Sequence, residues 1–389
     1  MRVLISSGIW PPEVGGPASH GPELGRFLAD RGHEVTAVTT AGPTGPEPSG
    51  FPIRASRKDR PQLIRHPAAA LAVLGAVRGV DVVYATGLYG RSTLAAAAHR
   101  LPLVLKLVND PAYERARRLG VFTGTLEDFQ ASRPDRRLAL LKAARRRVIE
   151  RAERIIIPSG YLADIAYGWG VPRERVRVVP NPAPSVDATT PRGELRDRLG
   201  FRFPTFVFAG RLTPQKNLPL AISALSRVAD ASLVVVGEGP SRAELSRAID
   251  DAGVCDRVTL TGALPRADAI QRMRAADASI LPSDWENFPH AAVEALAAGT
   301  PVVATAVGGV PEIVHSGING LLVPPRDPDA LAAAMARLND DGELLASLRA
   351  GALRSCERYR QDVVYGTIEA ELGRVVASKD GAADLVVQA

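Results

Sequence analysis

Short runs of β-branched and other apolar residues alternate with alanine-rich amphipathic stretches along nearly the whole chain. In the first half, Arg2–Ser6, Glu34–Thr40, Val80–Ala85, Leu103–Val108, Arg154–Pro158 and Arg175–Val179 read as strands. The second half repeats the scheme with Thr205–Ala209, Ala231–Val236, Arg257–Thr261, Ala278–Leu281, Thr300–Ala304 and Gly320–Val323. Strands that are apolar at almost every residue, separated by helices, belong to parallel sheets covered on both faces. The segment VVPNPAPSVDATTPRGE, Val178 to Glu194, carries four prolines and no sustained periodicity. It predicts a linker between two doubly wound α/β domains, one over 1–182 and one over 183–360. The stretch 361–389 follows the second sheet and predicts a helix from about Gln361 to Val376 and a frayed tail from Lys379 to Ala389. Thr44 to Arg60, rich in Gly, Pro and charge, predicts a mobile surface loop.

Composition narrows the classes. With 389 residues, 46% apolar and 23% charged, the chain is an ordinary globular protein of two or three domains. The longest apolar stretch, Ala68 to Val77, is about half of the ~20 residues a membrane span needs. A short strand followed by a Gly/Pro loop at the N-terminus does not read as a signal peptide. Two cysteines, Cys255 and Cys356, supply neither a disulfide framework nor a four-ligand zinc site, which fits a reducing cytoplasm. The balance of 48 basic to 42 acidic residues raises nucleic-acid binding, but three Trp, seven Tyr and nine Phe leave little to stack on bases, so no nucleic-acid partner is expected.

Open α/β sheets bind ligands at the carboxyl ends of their strands, so the loops after the strands carry the candidate chemistry. After the first strand, Gly15 and Gly16 precede a helix starting near Pro17. The pair would let backbone approach a phosphate at the helix N-terminus, a plain Gly/Pro turn being the competing reading. In VVVGEGPSRAEL, Gly237 and Gly239 lack a third fingerprint glycine because Arg242 stands there, so a tight turn is read and a nicotinamide cofactor is not. In FAGRLTPQKNL, Arg211 and Lys216 lie five positions apart just past a buried strand. Two cations there suit a diphosphate, against the reading of solvated surface charges. In LPSDWENFPHAAVEALAAGTPVVATAVGGVPEIV, Glu286 sits in a loop and Glu294 about one turn into a helix. That spacing lets one carboxylate meet the reacting end of a ligand and the other its hydroxyls, while amides near His290 and Ala291 could hold phosphate oxygens. Capping by Glu286 and a salt bridge at Glu294 are the alternatives.

This last stretch resembles the Glu-x7-Glu signature of family-4 retaining glycosyltransferases, which have the GT-B fold. The resemblance also covers GGPASH, LADRGHEVTAVT, FAGRLTPQKN, VVVGEGP, LTGALP and GGVPEIV…GINGLLVPP. It implies two Rossmann-like domains facing a central cleft, an acceptor-binding N-terminal domain, a nucleotide-sugar-binding C-terminal domain, and a last helix that returns to the first domain. By the same resemblance, Arg211 and Lys216 neutralise the departing diphosphate. Glu286 stands beside the donor sugar with Asn287, Phe288 and Pro289, Glu294 holds the ribose hydroxyls, Leu264 contacts the base, and Gly16 closes over the phosphates. The implied activity is metal-independent transfer of a hexose-type sugar from a UDP- or GDP-sugar to a hydroxyl acceptor, with no further cofactor.

Departures from the family pattern cluster on the acceptor side. Many members carry His-Asp or His-Gly after the fourth N-domain strand, where this chain has Asn109 and Asp110. Asp110 is expected to keep a carboxylate facing the cleft, with Glu114 in the same loop, and Thr86 replaces a frequent His. Asp327-Pro-Asp329 spells a metal-binding motif of another fold but reads better as a helix cap. The basic run from Arg133 to Arg154 reads as a solvated helix, with contact to an anionic membrane as the alternative. Rival functions are a GT-B nucleotide-sugar epimerase and a non-catalytic nucleic-acid or membrane-surface binder with a vestigial sugar site.

Overall fold

The computed structural model describes residues 1–13, 16–133 and 135–387, the side chains of 16, 17, 62 and 380–387 excepted. The chain divides into two compact units, one of Met1–Pro180 together with the stretch from Asp362 onward, the other Asn181–Gln361.

The first unit holds a seven-stranded sheet: β1 Arg2–Ser6, β2 Glu34–Ala41, β3 Ile53–Arg57, β4 Val82–Ala85, β5 Leu103–Lys106, β6 Arg154–Ile157 and β7 Val176–Val178. Its order is β3-β2-β1-β4-β5-β6-β7 and every pairing is parallel. The pleat explains the unbroken apolar runs. Leu4, Val83, Leu103 and Leu105 enter the core on one face, while Val3, Ile5, Tyr84 and Val104 enter the core on the other. The second unit holds β8 Thr205–Ala209, β9 Ser232–Val236, β10 Val258–Gly262, β11 Ala278–Leu281, β12 Val302–Thr305 and β13 Gly320–Val323, in the all-parallel order β10-β9-β8-β11-β12-β13. In each sheet the order reverses beside the unit's first strand, between β1 and β4 and between β8 and β11. That reversal opens a crevice at the carboxyl edge of each sheet, because successive crossover helices there diverge to opposite faces.

Two expectations fail. The segment Thr44–Arg60 contains β3, which pairs with β2 from Ala37↔Ile53 to Ala41↔Arg57. In IRASR only Ser56 is buried, Ile53 is half-buried and Ala55 is exposed, so this edge strand shows no apolar pattern. The last helix runs from Gln361 to Val387 rather than ending near Val376, the alanines of the continuation outweighing Gly381. Val364, Tyr365, Ile368, Leu372 and Val375 recur at helical spacing and are buried with Val3, Ile5 and Leu24 of the first unit. Among the described residues no helix is long and apolar enough to cross a membrane.

Candidate active site

The second unit's reversal point lies between the loop after β8, residues 210–217, and the loop after β11, residues 282–289. Four side chains or amides lace the two loops together. The Asp284 amide donates to the Gln215 carbonyl at 2.9 Å, and Gln215 Nε2 donates back to the Trp285 carbonyl at 2.6 Å. Asn217 Nδ2 donates to Asp284 Oδ1 at 3.0 Å, and the Lys216 ammonium donates to Glu286 Oε1. Ser283 Oγ donates to the same Glu286 oxygen at 2.7 Å. Glu286 is buried and Lys216 half-buried, so their charges meet where water screens them little.

Below the pair, Gly308 adopts φ +50°, and a Cβ there would fall 1.9 Å from the Glu286 carbonyl oxygen. The Gly309 amide donates to that carbonyl at 3.0 Å, so the double glycine is what lets the backbone under Glu286 close up. Arg211 is exposed at the start of the same crevice and has no side-chain partner among the described residues. Gly237 is held by backbone crowding, since a Cβ there would lie 1.9 Å from the Gly210 carbonyl oxygen.

Glu294 lies in the helix His290–Ala297 that follows the Glu286 loop. Arg266 Nε donates to Glu294 Oε1 at 2.7 Å, and burial raises the Glu294 pKa above its ordinary value against the pull of Arg266. Arg266 opens the helix after β10, two residues past Leu264. Leu264, Phe288 and Ala291 pack on one apolar cluster, and Phe288 meets Tyr359 and His290 edge-on at 6.1 and 6.2 Å between centroids. His290 Nε2 lies 3.1 Å from Asn181 Nδ2, and Asn287 is buried beside Glu286. Thus Arg211, Lys216, Leu264, Glu286, Asn287, Phe288, Pro289, His290, Ala291 and Glu294 all belong to the loops that follow strands at one edge of one sheet, or to the first two turns of the helix after the Glu286 loop. The sequence reading missed Gln215, Asn217, Ser283, Asp284 and Arg266. Gln215 and Asn217 flank Lys216, and Ser283 and Asp284 lie three and two residues before Glu286, which is the signal that could have found them.

The first unit's edge is built differently. Gly15 lies outside the described residues, and Gly16 opens the helix Gly16–Asp30. Thr86 is buried just past β4, its amide donating to the Ser6 carbonyl at 2.9 Å. Asp110 contradicts the expectation of a carboxylate facing a cleft, for it is wholly buried. Its Oδ1 caps the helix Pro111–Arg118, accepting from the amides of Ala112 at 2.8 Å and Tyr113 at 3.3 Å. Its Oδ2 accepts from Gln130 Nε2 at 3.0 Å and from Arg145. Arg145 in turn stacks on Trp169, whose indole N–H donates to Gln130. No oxygen of Asp110 is left for a substrate, and Asn109 Oδ1 is itself bonded to the Asp110 amide. Glu114, in the next turn, has its pKa raised by desolvation, against the opposing effects of Arg118 and Asn109. The basic run forms the helix Arg136–Glu150, anchored through Leu138 and Ile149 with Arg145 turned inward. Asp327 caps the helix Pro328–Asp340 through the Ala330 amide at 2.9 Å, and Asp329 pairs with Arg227.

Known proteins match both units. Residues 15–182 match the glycosyl transferase 4-like domain, and residues 192–354 match glycosyl transferases group 1. A D-inositol 3-phosphate glycosyltransferase of Catenulispora acidiphila is 30% identical over 377 residues, covering 88% of this chain and 86% of the relative. A 2-deoxystreptamine glucosyltransferase of Streptomyces kanamyceticus is 35% identical over 225 residues, covering 54% of this chain and 58% of the relative, so that match spans just over half of its length. The Anabaena protein HepE, solved in complex with UDP, shares the fold with a TM-score of 0.78 at 22% identity, covering 96% of this chain and all of that one. Two parallel Rossmann-like sheets and a relative aligned over almost the full length agree: the chain belongs to the group 1 glycosyltransferases of the GT-B type.

Proposed function

We propose that the protein transfers a hexose-type sugar from a nucleoside-diphosphate donor to a hydroxyl acceptor, with retention at the anomeric carbon and without a divalent ion. The observation that carries this reading is the Lys216–Glu286 pair beside the exposed Arg211 at the second unit's crevice. A diphosphate needs cations on its oxygens as the glycosidic bond to it breaks. Arg211 and Lys216 supply two, and preorganised charge of this kind is worth several kcal/mol when aimed at the leaving group. Lys216 then exchanges Glu286 for phosphate, which frees the carboxylate to accept hydrogen bonds from the sugar hydroxyls. The acceptor hydroxyl attacks on the face the diphosphate leaves, and its proton passes to the departing phosphate oxygen. The products are the glycoside and the nucleoside diphosphate.

Glu294 holds the ribose, and Leu264 borders the base. UDP is the first donor nucleotide to test, because HepE was solved with it. The relatives named for D-inositol 3-phosphate and 2-deoxystreptamine support a small polyhydroxylated acceptor. The test is transfer from UDP- and GDP-hexoses to these two acceptors in the presence of EDTA, with NMR of the first-formed product. An α-donor giving an α-linked product in EDTA is expected. An inverted linkage, or turnover only after Mg²⁺ or Mn²⁺ is restored, would sink the mechanism.

A further inference from the structure

At the amino-terminal edge of the first unit's sheet lies a cavity of about 620 Å³ that the proposed reaction does not use. It is lined by Arg100, Arg151, Arg154, Arg374 and Lys379, with Glu153 as its one carboxylate. Arg100 and Glu153 precede β5 and β6, whereas Thr86 and Asn109 follow β4 and β5, so the cavity and the carboxyl edge sit at opposite ends of the same strands. It therefore stands apart from the carboxyl edge of its own sheet.

The charges of this cavity are not balanced from within. Glu153 Oε2 is taken by the Leu103 amide at 2.6 Å. Glu371, buried on the last helix, is approached by Arg154 at 3.0 Å, by Arg177 at 3.6 Å and by Arg374. Arg100, Arg151 and Lys379 have no side-chain partner among the described residues. Arg100 is set at the rim by a left-handed backbone, φ +51°, directly after the helix Tyr89–Ala98, with its amide bonded to the Ala97 carbonyl. Guanidinium groups on separate elements, with an apolar wall of Ala96, Leu101 and Pro102 between them, present forked donors to a compact multivalent anion. The volume falls in the range of sites for small organic ligands, whereas a flat bilayer surface would not enter such a recess.

We propose that this cavity binds a small phosphorylated molecule, whose phosphate joins Arg100 and Arg151 to Arg374 and Lys379 of the last helix. The bound anion clasps that helix to the segment before β5.

Hydrogen exchange with inorganic pyrophosphate as probe reads the site locally. Pyrophosphate also suits Arg211 and Lys216, but those fall in other segments. At ten times its dissociation constant, exchange in residues 96–102 and 372–379 should slow by up to about tenfold, because opening must first release the ligand. The effect should fade at high salt. Arg100→Gln with Arg151→Gln removes two exposed, partnerless charges and should abolish that protection while leaving protection of residues 210–217 unchanged. Protection that persists in this double variant, or that never appears at 96–102 and 372–379, overturns the proposal. So does protection by phosphatidylglycerol vesicles without protection by pyrophosphate, which would assign the same arginines to a membrane headgroup.

Discussion

The two sheets are wound in the same order about their reversal points, yet they treat charge at their carboxyl edges in opposite ways. In the second unit, Arg211 is exposed without a partner, and Lys216 rests on a single carboxylate. In the first unit, Asp110 has every accepting position filled from Ala112, Tyr113, Gln130 and Arg145. Lys106, at the end of β5, is wholly buried and donates to the Val179 carbonyl at 2.8 Å. A charge at a strand end is chemical only if some of its bonding capacity is left for a ligand. By that criterion the second unit's edge keeps bonding capacity open, whereas Asp110 and Lys106 of the first unit are braces.

Breaking the Asp110 brace should have the largest effect. Asp110→Ala removes a helix cap and leaves Arg145 buried without its counter-charge, a loss of about 3–5 kcal/mol for a buried pair. Urea unfolding followed by segment-resolved hydrogen exchange should show the loss in residues 1–180, while nucleotide affinity of the folded protein stays within about twofold. A fully stable variant that has lost transfer would restore Asp110 to catalysis.

Next in size is Lys216→Ala. With one of two cations removed from the leaving group, turnover should fall by about 100- to 1000-fold, with weaker donor binding as well. A loss confined to donor affinity, at unchanged turnover, would place Lys216 in ground-state binding alone.

Lys106 sharpens the comparison through pH. Burial pushes its pKa down to about 7 from an unfolded value of 10.5. Below pH 7 both states carry the proton and the cost of a buried ammonium is present in full. Between pH 7 and 10.5 the unfolded chain binds more proton than the native one, so the first unit's stability should rise with pH, by at most about 1.4 kcal/mol per unit. Lys106→Met should flatten this rise and raise the urea midpoint at pH 7. An equal slope in the two proteins would show that other groups set it.

What was legible in the sequence follows the same division. Twelve strands could be read because each carries a run of apolar or β-branched residues, even at the edges β7 and β10, whereas β3, also at an edge, spells IRASR with two arginines. Arg211, Lys216, Glu286 and Glu294 were legible because they stand in loops or a helix directly after readable strands, in stretches that resemble the family's signature. Asp110 was misread although its local signal was present. An Asp before a Pro that starts a charged helical stretch is an N-cap, and that reading needed no partner from elsewhere. Arg145 and Gln130, which complete its burial, come from elements 35 and 20 residues away. No local pattern could announce them. Arg266 escaped for the same reason, being 28 residues from Glu294.

Arg266 gives the smallest and sharpest test. If Glu294 receives the ribose hydroxyls, its carboxylate must first be shared with or released by Arg266, a pair whose arginine is 42% exposed. Exposed pairs contribute at most about 1 kcal/mol, so Arg266→Ala should tighten nucleotide binding by no more than about fivefold. The pH dependence carries the sign of the mechanism. Burial already raises the Glu294 pKa and Arg266 opposes it. Removing Arg266 lets the pKa rise further, so the acid limb of nucleotide binding should move to higher pH even as affinity at neutral pH improves. Calorimetry from pH 5 to pH 8 on the native protein and on Arg266→Ala separates the cases. Weaker binding at every pH would mean that Arg266 itself touches the nucleotide, and Glu294 would then act through the arginine rather than on the ribose.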